Sequence, residues 1–493
     1  MKFFCYNLIF LLCPLMTFGQ WNQLGSAIQG ESDGDKYGYS TSINASGNVM
    51  IAGAYENSDN GYFAGHAQVF EWDGGNWIQR GEDIDGNLEE WSGHEVDIDG
   101  SGNRVAVGAI QGVNSAGVSS GIVRVFDWDG TNWNQTGSTI EGLGSGLGSD
   151  WFGSALSFSA DGNTLAIGAP LNNSNGGLAG QVRIYKWDGT DWVQLGDDIL
   201  GDEAHDQFGG NVSLNDEGNM FAAGARGAGD SGFGTNFTGH VYVYEWDGSD
   251  WIKRGSQLLG DISGDDFGRS VSLNGSGDIL AVGAPGYNVV SGNLECTTHI
   301  YEWDGNDWLQ RGSTLTGVAD IDLFGWSVSL NSNGNILAVG GAPFFSNGSV
   351  WIFEWTGTTW EQQGDELMGE NSNDFFGSSV SINDIGNTLA VGAWGNQDIG
   401  HVRVFENLSI VSTQDINTIN LNYFPNPTSD YLHVSASTNI ESIIVYDISG
   451  KEMMTRQGTN KEMRLELDKL KEGTYFLEIR SQNQKRTVKF IKV

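Results

Sequence analysis

The sequence predicts an all-β fold, and three of its features support that prediction. A tryptophan-containing motif recurs from Trp21 to Trp360 at intervals of 52–59 residues in a chain of 493 residues. Between these tryptophans, apolar residues alternate with small or polar ones in short runs. The 73 glycines separate many of those runs. Alternation bounded by glycine is typical of strands joined by turns, and a fixed period indicates a repeat architecture.

One complete repeat spans Asp265–Gly312 and contains four predicted strands, which we call A to D. Strand A follows the FG at Phe267-Gly268, strand B is the L-A-V-G-A run from Leu280, strand C precedes the W-D-G turn and strand D begins at Trp308. The tryptophans that open strand D mark seven copies: Trp21, Trp77, Trp133, Trp192, Trp251, Trp308 and Trp360. Seven four-stranded antiparallel units describe a seven-bladed β-propeller.

The two ends of the repeat array complement each other. The seventh copy ends at Asn407 without a strand D, whereas the first copy is preceded by an isolated strand D at 21–25. We therefore expect the N-terminal strand to complete the last blade. Such closure removes the unpaired edges that an open array would expose.

Residues 1–19 have the pattern of a secretory signal peptide, with Lys2 before an apolar run and small residues near its end. We expect a propeller over 20–407, a linker over 408–420 and a C-terminal domain over 421–493. No later stretch is apolar enough over about 20 residues to span a bilayer. Of the three cysteines, only Cys296 follows the signal, so we expect no intramolecular disulfide.

The chain is strongly acidic, with a formal net charge of −38. Most of that charge lies in the repeats, because the last 80 residues are nearly balanced. An acidic surface repels phosphate backbones, which argues against nucleic acid as a partner. It favours solubility and attracts cations such as Ca²⁺ outside the cell.

The repeat resembles the FG-GAP repeats of the integrin α-chain propeller. Phe267-Gly268 and Gly283-Ala284-Pro285 carry the two signatures, and Phe152-Gly153 and Gly168-Ala169-Pro170 repeat them. This resemblance covers residues 21 to about 407, and it implies the propeller fold more strongly than any function.

The same resemblance implies Ca²⁺ in a D-x-D-x-D-G loop between strands A and B, but most of these loops carry Ser or Asn in place of the carboxylates. The second copy comes closest, with Asp97 and Asp99. Ca²⁺ takes six to eight oxygen ligands, so we expect most of these loops to be metal-free turns. Asp97 and Asp99 remain the candidate Ca²⁺ ligands.

An acidic residue also precedes the FG aromatic by two positions in every copy, and we expect it to cap backbone N–H groups of a neighbouring loop. A ring of cation ligands is the alternative.

A candidate ligand-binding site lies at the position directly after FG, where strand A begins near the central channel. Its occupants differ from copy to copy: Tyr39, His94, Ser154, Gly210, Arg269, Trp326 and Ser378. Tyr39 and Trp326 would stack on sugar rings, His94 and Arg269 would bond hydroxyls or carboxylates, and Trp151 would extend the surface. The alternative is that these residues merely fill a solvent channel.

H-E-x-x-H is absent, and the two G-x-S-x-G matches, at 30–34 and 117–121, lie between predicted strands and not on the strand-to-helix turn that presents a catalytic serine. We therefore expect a protein that is not an enzyme. A secreted enzyme acting on polysaccharide or protein remains an alternative, because propellers host many chemistries.

The composition changes after residue 407, and the apolar runs of 421–493 predict a small Ig-like β-sandwich. The start at Pro425-Asn426-Pro427, the hairpin at 445–451 and the strand at 473–477 resemble the C-terminal sorting domain of type IX secretion cargo in the Bacteroidetes. The resemblance implies recognition of 421–493 by the type IX machinery and a secreted or outer-membrane surface location. We expect a binding or adhesion propeller whose partner is a glycan or a surface protein. A structural surface component is a further alternative.

Overall fold

A computed structural model describes residues 21–144, 149–228, 238–286, 296–317, 322–343, 346–395, 399–408, 421–424, 428–436, 439–447, 451–467, 469–471, 473–481 and 484–492. The chain divides into two compact units between residues 410 and 411. The expected signal peptide and residues 409–420 of the expected linker lie outside the described residues.

Within the described part of the first unit, all regular elements are β-strands, and they form seven five-stranded sheets. We number the sheets from the first strand A. The A strands are Thr41–Ile43, Ser92–Ile98, Ala155–Phe158, Phe208–Leu214, Ser270–Leu273, Ser327–Leu330 and Ser379–Ile382. The B strands are Val49–Ala54, Arg104–Ala109, Thr164–Ala169, Met220–Ala225, Ile279–Ala284, Ile336–Gly341 and Thr388–Ala393. The C strands are His66–Trp72, Ile122–Trp128, Gln181–Trp187, His240–Trp246, Thr297–Trp303, Ser349–Trp355 and His401–Glu406. The D strands of sheets 1 to 6 are Trp77–Gln79, Trp133–Gln135, Trp192–Gln194, Trp251–Lys253, Trp308–Gln310 and Trp360–Gln362.

Each sheet also contains a two-residue strand, E, which the sequence pattern did not reveal. The E strands of sheets 1 to 6 are Ile84–Asp85, Ile140–Glu141, Ile199–Leu200, Leu258–Leu259, Leu315–Thr316 and Leu367–Met368. In sheet 5, strand D pairs with the end of strand C and strand E with its beginning. Gly312, at φ +81°, lies between D and E, a conformation that glycine adopts without steric cost.

Sheet 7 is assembled from both ends of the repeat array. Its D and E strands are Asn22–Gln23 and Ile28–Gln29, and both pair antiparallel with the C strand His401–Glu406. Asn22 lies opposite Glu406 and Ile28 opposite Val402. The Arg403 guanidinium also donates a 2.9 Å hydrogen bond to the Gln23 side chain.

Backbone hydrogen bonds join the A–B turns of successive sheets. In each turn one backbone N–H donates to the carbonyl of the next sheet's turn, with N···O distances of 2.9–3.3 Å. The donor–acceptor pairs are Ala45–Gly100, Gly100–Ala160, Ala160–Asp216, Asp216–Gly275, Gly275–Ser332, Ser332–Asp384 and Asp384–Ala45. The series thus returns to the residue from which it starts. We call these seven residues the turn ring.

The glycines of the two repeat signatures meet between neighbouring sheets. A Cβ on Gly283 of sheet 5 would collide with the carbonyl oxygen of Gly325, the FG glycine of sheet 6. The same collision is found at the other sheet boundaries, for example between a Cβ on Gly53 and the Gly93 carbonyl oxygen and between a Cβ on Gly392 and the Gly38 carbonyl oxygen. Two backbones can approach this closely only where no side chain lies between them. This explains why the glycine of strand B and the FG glycine are both retained in each copy.

The D-strand tryptophans also link adjacent sheets. The indole N–H of Trp77 donates to the Leu24 carbonyl, and that of Trp308 to the Arg254 carbonyl. The same bond forms at Trp133, Trp192, Trp251 and Trp360. Each of these six tryptophans therefore anchors its sheet to the preceding D strand, in addition to its packing.

The described part of the second unit contains seven strands in two antiparallel sheets. Their bounds are Leu421–Phe424, Tyr431–Ala436, Ser442–Asp447, Glu452–Gln457, Glu462–Glu466, Gly473–Ser481 and Gln484–Lys492. Leu432 and Val434 of the three-stranded sheet share a buried cluster with Val445 and Leu477 of the four-stranded sheet.

A search of the described residues for a helix long and apolar enough to cross a membrane finds none.

Candidate functional site

A cavity of about 990 Å³ lies where the A strands of the seven sheets begin. All seven residues that directly follow the FG position line it: Tyr39, His94, Ser154, Gly210, Arg269, Trp326 and Ser378. Trp151 and Trp394 line it as well. The structure therefore brings together the five residues that the sequence suggested for ligand binding, Tyr39, His94, Trp151, Arg269 and Trp326. The seven residues after FG stand at or next to the start of the A strands, whereas the turn ring lies beyond the other end of these strands. We call the end of the channel where the A strands begin the rim.

Below the rim, hydroxyl groups link each A strand to the next. The serine three residues after the rim position accepts a hydrogen bond from a backbone N–H of the following sheet at 2.9–3.1 Å. These acceptor–donor pairs are Ser157–Leu214, Ser213–Leu273, Ser272–Leu330, Ser329–Ile382 and Ser381–Ile43. The lower channel is thus held by repeated polar contacts.

Asp97 occupies the same position in sheet 2, where the other sheets have serine. One carboxylate oxygen accepts the Phe158 N–H at 2.7 Å, and the other accepts the Ser42 hydroxyl at 2.6 Å. Burial raises the pKa of Asp97 to about 6, although these hydrogen bonds oppose the shift. Both oxygens are therefore engaged in joining sheets.

Asp99 caps its own A–B turn. It accepts the backbone N–H groups of Asn103 and Arg104 at 2.8 and 2.9 Å and the Ser101 hydroxyl at 2.6 Å. Asparagine accepts the matching N–H pair in the turns of five other sheets, at Asn44, Asn215, Asn274, Asn331 and Asn383. In the described part of the chain, the group of three or more converging metal-ligand side chains is Glu31, His66 and Asp83, and it includes neither Asp97 nor Asp99. Ca²⁺ at Asp97 and Asp99 stays a prediction.

The acidic residue before FG acts as a cap in the structure. Asp35 accepts the Glu31 and Ser32 N–H groups at 3.0 and 2.7 Å, and Asp374 accepts those of Glu370 and Asn371. Asp150, Asp206 and Asp265 each accept a loop N–H in the same way. Their carboxylates order the loops that lead to the rim.

Aromatic rings form one side of the rim. The Tyr39 ring lies 4.7 Å from that of Tyr55, 5.0 Å from His94 and 6.2 Å from Trp394. His94 is also 6.3 Å from Trp151. Burial raises the pKa of Tyr39 and lowers that of His94 to about 4. His94 is therefore neutral at pH 7, and this side of the rim offers ring faces and edges together with polar ring atoms.

Arginine and carboxylate groups form the other side. The Arg269 guanidinium lies 3.8 Å from the centre of the Trp326 ring and 3.9 Å from the Asp266 carboxylate. Arg226, which also lines the cavity, donates to the Gln207 side chain at 3.1 Å. Burial raises the pKa of Asp266, although Arg269 and Arg226 oppose the shift. The sequence suggested Arg269 and Trp326 as separate contacts, whereas the structure joins them as a stacked pair.

Glu95 is the carboxyl group that the sequence analysis missed. It follows the rim position in sheet 2, and burial raises its pKa to about 8 despite a hydrogen bond with Ser40. Serine stands at this position in four other sheets, at Ser40, Ser270, Ser327 and Ser379. The break in repetition at Glu95 could have identified it. Tyr55, Arg226 and Asp266 lie in loops whose path the repeat pattern does not predict.

Seven repeated antiparallel sheets around one cavity define an all-β chain whose organisation is consistent with a β-propeller. Residues 422–493 match the family model of the secretion system C-terminal sorting domain. That match confirms the sorting domain expected from the sequence. It indicates export by type IX secretion to the outer-membrane surface or the extracellular space.

Solved structures with related architecture share little sequence with this chain. The RRP9 WD40 repeats are 10% identical, with 79% of this chain and 99% of that chain covered and a TM-score of 0.47. PorZ, a surface component of the type IX secretion system of Porphyromonas gingivalis, is 12% identical, with 94% and 60% covered and a TM-score of 0.43. A putative 6-phosphogluconolactonase from Bacteroides uniformis is 13% identical, with 68% and 86% covered and a TM-score of 0.46. A comparison with curated protein sequences gives no match.

Proposed function

We propose that this chain is a secreted or surface-attached adhesin, a closed seven-bladed propeller that binds a saccharide at the rim of its channel. In this proposal the sorting domain folds as an Ig-like β-sandwich and delivers the propeller to the surface. The similarity to FG-GAP repeats and the return of the turn ring to Ala45 support the closed propeller.

The observation that carries the binding proposal is the composition of the rim. Tyr39, Trp151 and Trp326 offer aromatic surface, and Arg226 and Arg269 offer charged donors in the same cavity. Sugars present apolar ring faces and a periphery of hydroxyl or carboxylate oxygens. An aromatic surface beside guanidinium groups matches both features.

The rim is also where the sheets differ most from one another. Position by position, the lower channel repeats serine, whereas the rim carries seven occupants of six residue types. Variation on a rigid scaffold is typical of a binding face. A cavity of about 990 Å³ admits one or a few sugar units.

The alternative that a specific observation favours is a secreted enzyme acting on polysaccharide. The raised pKa of Glu95 leaves a carboxylic acid protonated at neutral pH in the cavity, as a general acid requires. However, the other carboxylates that line the described part of the cavity are already engaged. Asp97 accepts hydrogen bonds from Ser42 and the Phe158 N–H. Asp266 lies 3.9 Å from the Arg269 guanidinium, so neither carboxylate is ready to act as base or nucleophile. This difference makes binding the leading proposal.

The test is binding of the full chain to a panel of neutral and uronic-acid-containing polysaccharides, followed by reducing-end assays for cleavage. We expect saturable binding without cleavage. Replacing Tyr39 and Trp326 together with Ala is expected to weaken binding at least tenfold. The matched control is Tyr62→Ala, which removes a 60% exposed aromatic residue outside the cavity.

Equal binding by the double variant and the control would place the ligand elsewhere. Cleavage that disappears in Glu95→Gln would favour the enzyme. Lack of binding to every polysaccharide, with retained attachment to cells, would favour a surface protein as the partner.

A further inference from the structure

A second polar cluster lies in sheet 1, outside the residues that line the cavity. Glu31 follows the E strand of sheet 7, His66 begins the C strand of sheet 1, and Asp83 precedes the E strand of sheet 1. Potential ligand atoms of these three side chains all lie within 4.8 Å of one another. Residues distant in sequence are therefore brought to one point where the last and first sheets meet.

His66 is the unusual member of this cluster. Its side chain is only 1% exposed, yet neither ring nitrogen has a hydrogen-bond partner among the described residues. Its Nδ1 lies 3.6 Å from Asp83 Oδ2, which is too long for a hydrogen bond. Buried polar groups in proteins nearly always have a partner, so an unsatisfied imidazole facing carboxylates indicates a missing ligand.

Two glutamine side chains hold the carboxylates in place. The Gln68 amide donates to Glu31 Oε1 at 3.1 Å and to Asp83 Oδ1 at 3.0 Å, and Gln79 donates to the same Asp83 oxygen at 2.5 Å. The other Asp83 oxygen, Oδ2, is the one that faces His66. Hydrogen bonds of this kind orient metal-ligating carboxylates.

The two carboxylates also repel each other. Burial raises the pKa of Glu31, and the nearby Asp83 raises it further. A cation between them would relieve that repulsion and satisfy the imidazole.

We propose that Glu31, His66 and Asp83 bind a divalent transition-metal ion, with Zn²⁺ as the best match. One imidazole and two carboxylates form a ligand set that Zn²⁺ accepts, with water completing the tetrahedron. Ca²⁺ takes oxygen ligands, so the imidazole argues against it. The ion would tie the E strand of sheet 7 to the C strand of sheet 1.

Sheet 7 provides an internal control. His401 begins its C strand as His66 does in sheet 1 and is 0% exposed. In the part of the chain that the structure describes, neither of its ring nitrogens has a hydrogen-bond partner. Ala27 stands where sheet 1 has Asp83, and Arg403 stands where it has Gln68. The cluster at His401 therefore lacks one carboxylate and gains a cation, so we expect it to bind no metal.

The experiment uses the full chain after removal of metal by a chelator. Calorimetry with Zn²⁺ alone is expected to show one saturable high-affinity site, and Co²⁺ is expected to give the ligand-field absorption of a low-symmetry site. His66→Gln is expected to weaken Zn²⁺ binding at least tenfold, whereas His401→Gln leaves it unchanged. Equal affinity in the two variants, or the absence of a saturable site, would overturn the proposal.

Asp83→Asn is a second variant that we expect to fold normally, because asparagine keeps the size of the side chain and an oxygen that accepts the hydrogen bonds of the two glutamines. Its melting temperature without metal is expected to match the wild type. Added Zn²⁺ should then raise the melting temperature of the wild type and not that of the variant. The same rise in both would show that the ion binds adventitiously to the acidic surface.

Discussion

The two ends of the channel differ in what holds them together. At the turn ring, seven backbone N–H groups and seven carbonyls form a repeated series that depends little on side chains. At the rim, each sheet contributes a different side chain to one cavity. The two ends of the A strands therefore have different roles. The repeated backbone hydrogen bonds of the turn ring stabilise the fold, and the residues at the rim can vary from sheet to sheet.

The largest expected effect comes from replacing a glycine at each end of the channel with a larger residue, which tests whether stability depends on the turn ring more than on the rim. A Cβ on Gly100 of the turn ring would lie 2.8 Å from the backbone carbonyl oxygen of Ala160, which accepts the Gly100 N–H, whereas a Cβ on Gly210 at the rim meets no atom closer than 3.3 Å. We expect Gly100→Val to lower the free energy of unfolding by about 3 kcal/mol. Gly210→Val should change it by less than about 0.5 kcal/mol. Urea denaturation of both variants is the measurement, and equal losses would refute this difference in roles.

A second prediction concerns Glu95, just below the rim. Its folded pKa, about 8, lies above the ordinary value, so folding favours the protonated acid. The stability that this acid contributes is present below pH 4.5 and is lost as the pH rises to 8. Glu95→Gln is therefore expected to match the wild type at pH 4 and to exceed it at pH 9 by on the order of 1–3 kcal/mol.

Thermal melts across this pH range test the prediction. Glu361→Gln, at an exposed carboxylate, controls for the loss of one charge. A constant difference between Glu95→Gln and the wild type at every pH would contradict it.

A third prediction compares two serines. Ser272 in the lower channel accepts the Leu330 N–H at 2.9 Å, so Ser272→Ala leaves a buried donor without a partner and should cost about 1–2 kcal/mol. The buried hydroxyl of Ser154 at the rim has no hydrogen-bond partner within the described ranges, so Ser154→Ala should be neutral or slightly stabilising. Chemical denaturation distinguishes the two, and a larger loss at Ser154 would reverse the comparison.

The smallest effect is expected at the Arg269–Trp326 pair. Trp326→Ala removes a cation–π contact at a partly exposed site, which is worth about 0.5–1 kcal/mol. We expect a small change in melting temperature and intact folding by circular dichroism. A loss as large as that of Gly100→Val would assign the pair a structural role.

The repeated features could be predicted from the sequence because each depends on residues close together in the chain. Strand alternation, the glycines of the two signatures and the acidic cap before FG recur in copy after copy, so one copy explains the next. The rim was also predictable, since the register after FG places Tyr39, Arg269 and Trp326 at equivalent positions on neighbouring strands.

The features that sequence reasoning missed depend on contacts between copies. The turn ring uses backbone atoms, which leave no residue signature at Ala45, Gly100 or Ser332. The cluster of Glu31, His66 and Asp83 combines two loop residues and the first residue of a strand, and no spacing rule links them. The role of Asp97 in joining two sheets was also missed, because serine performs that role in the other sheets and a carboxylate at this position does not reveal it.

The N-terminal strand of sheet 7 has a consequence for how the chain is made. Arg403 and Gln23 are 380 residues apart in sequence, so Asn22–Gln23 can pair only after the C strand of sheet 7 has been synthesised. Contacts of such high sequence separation form late in folding. A chain without Asn22–Gln23 and Ile28–Gln29 would leave the C strand His401–Glu406 as an exposed edge, and exposed edges invite aggregation and proteolysis. Pairing between the two ends of the repeat array therefore protects the last blade from both.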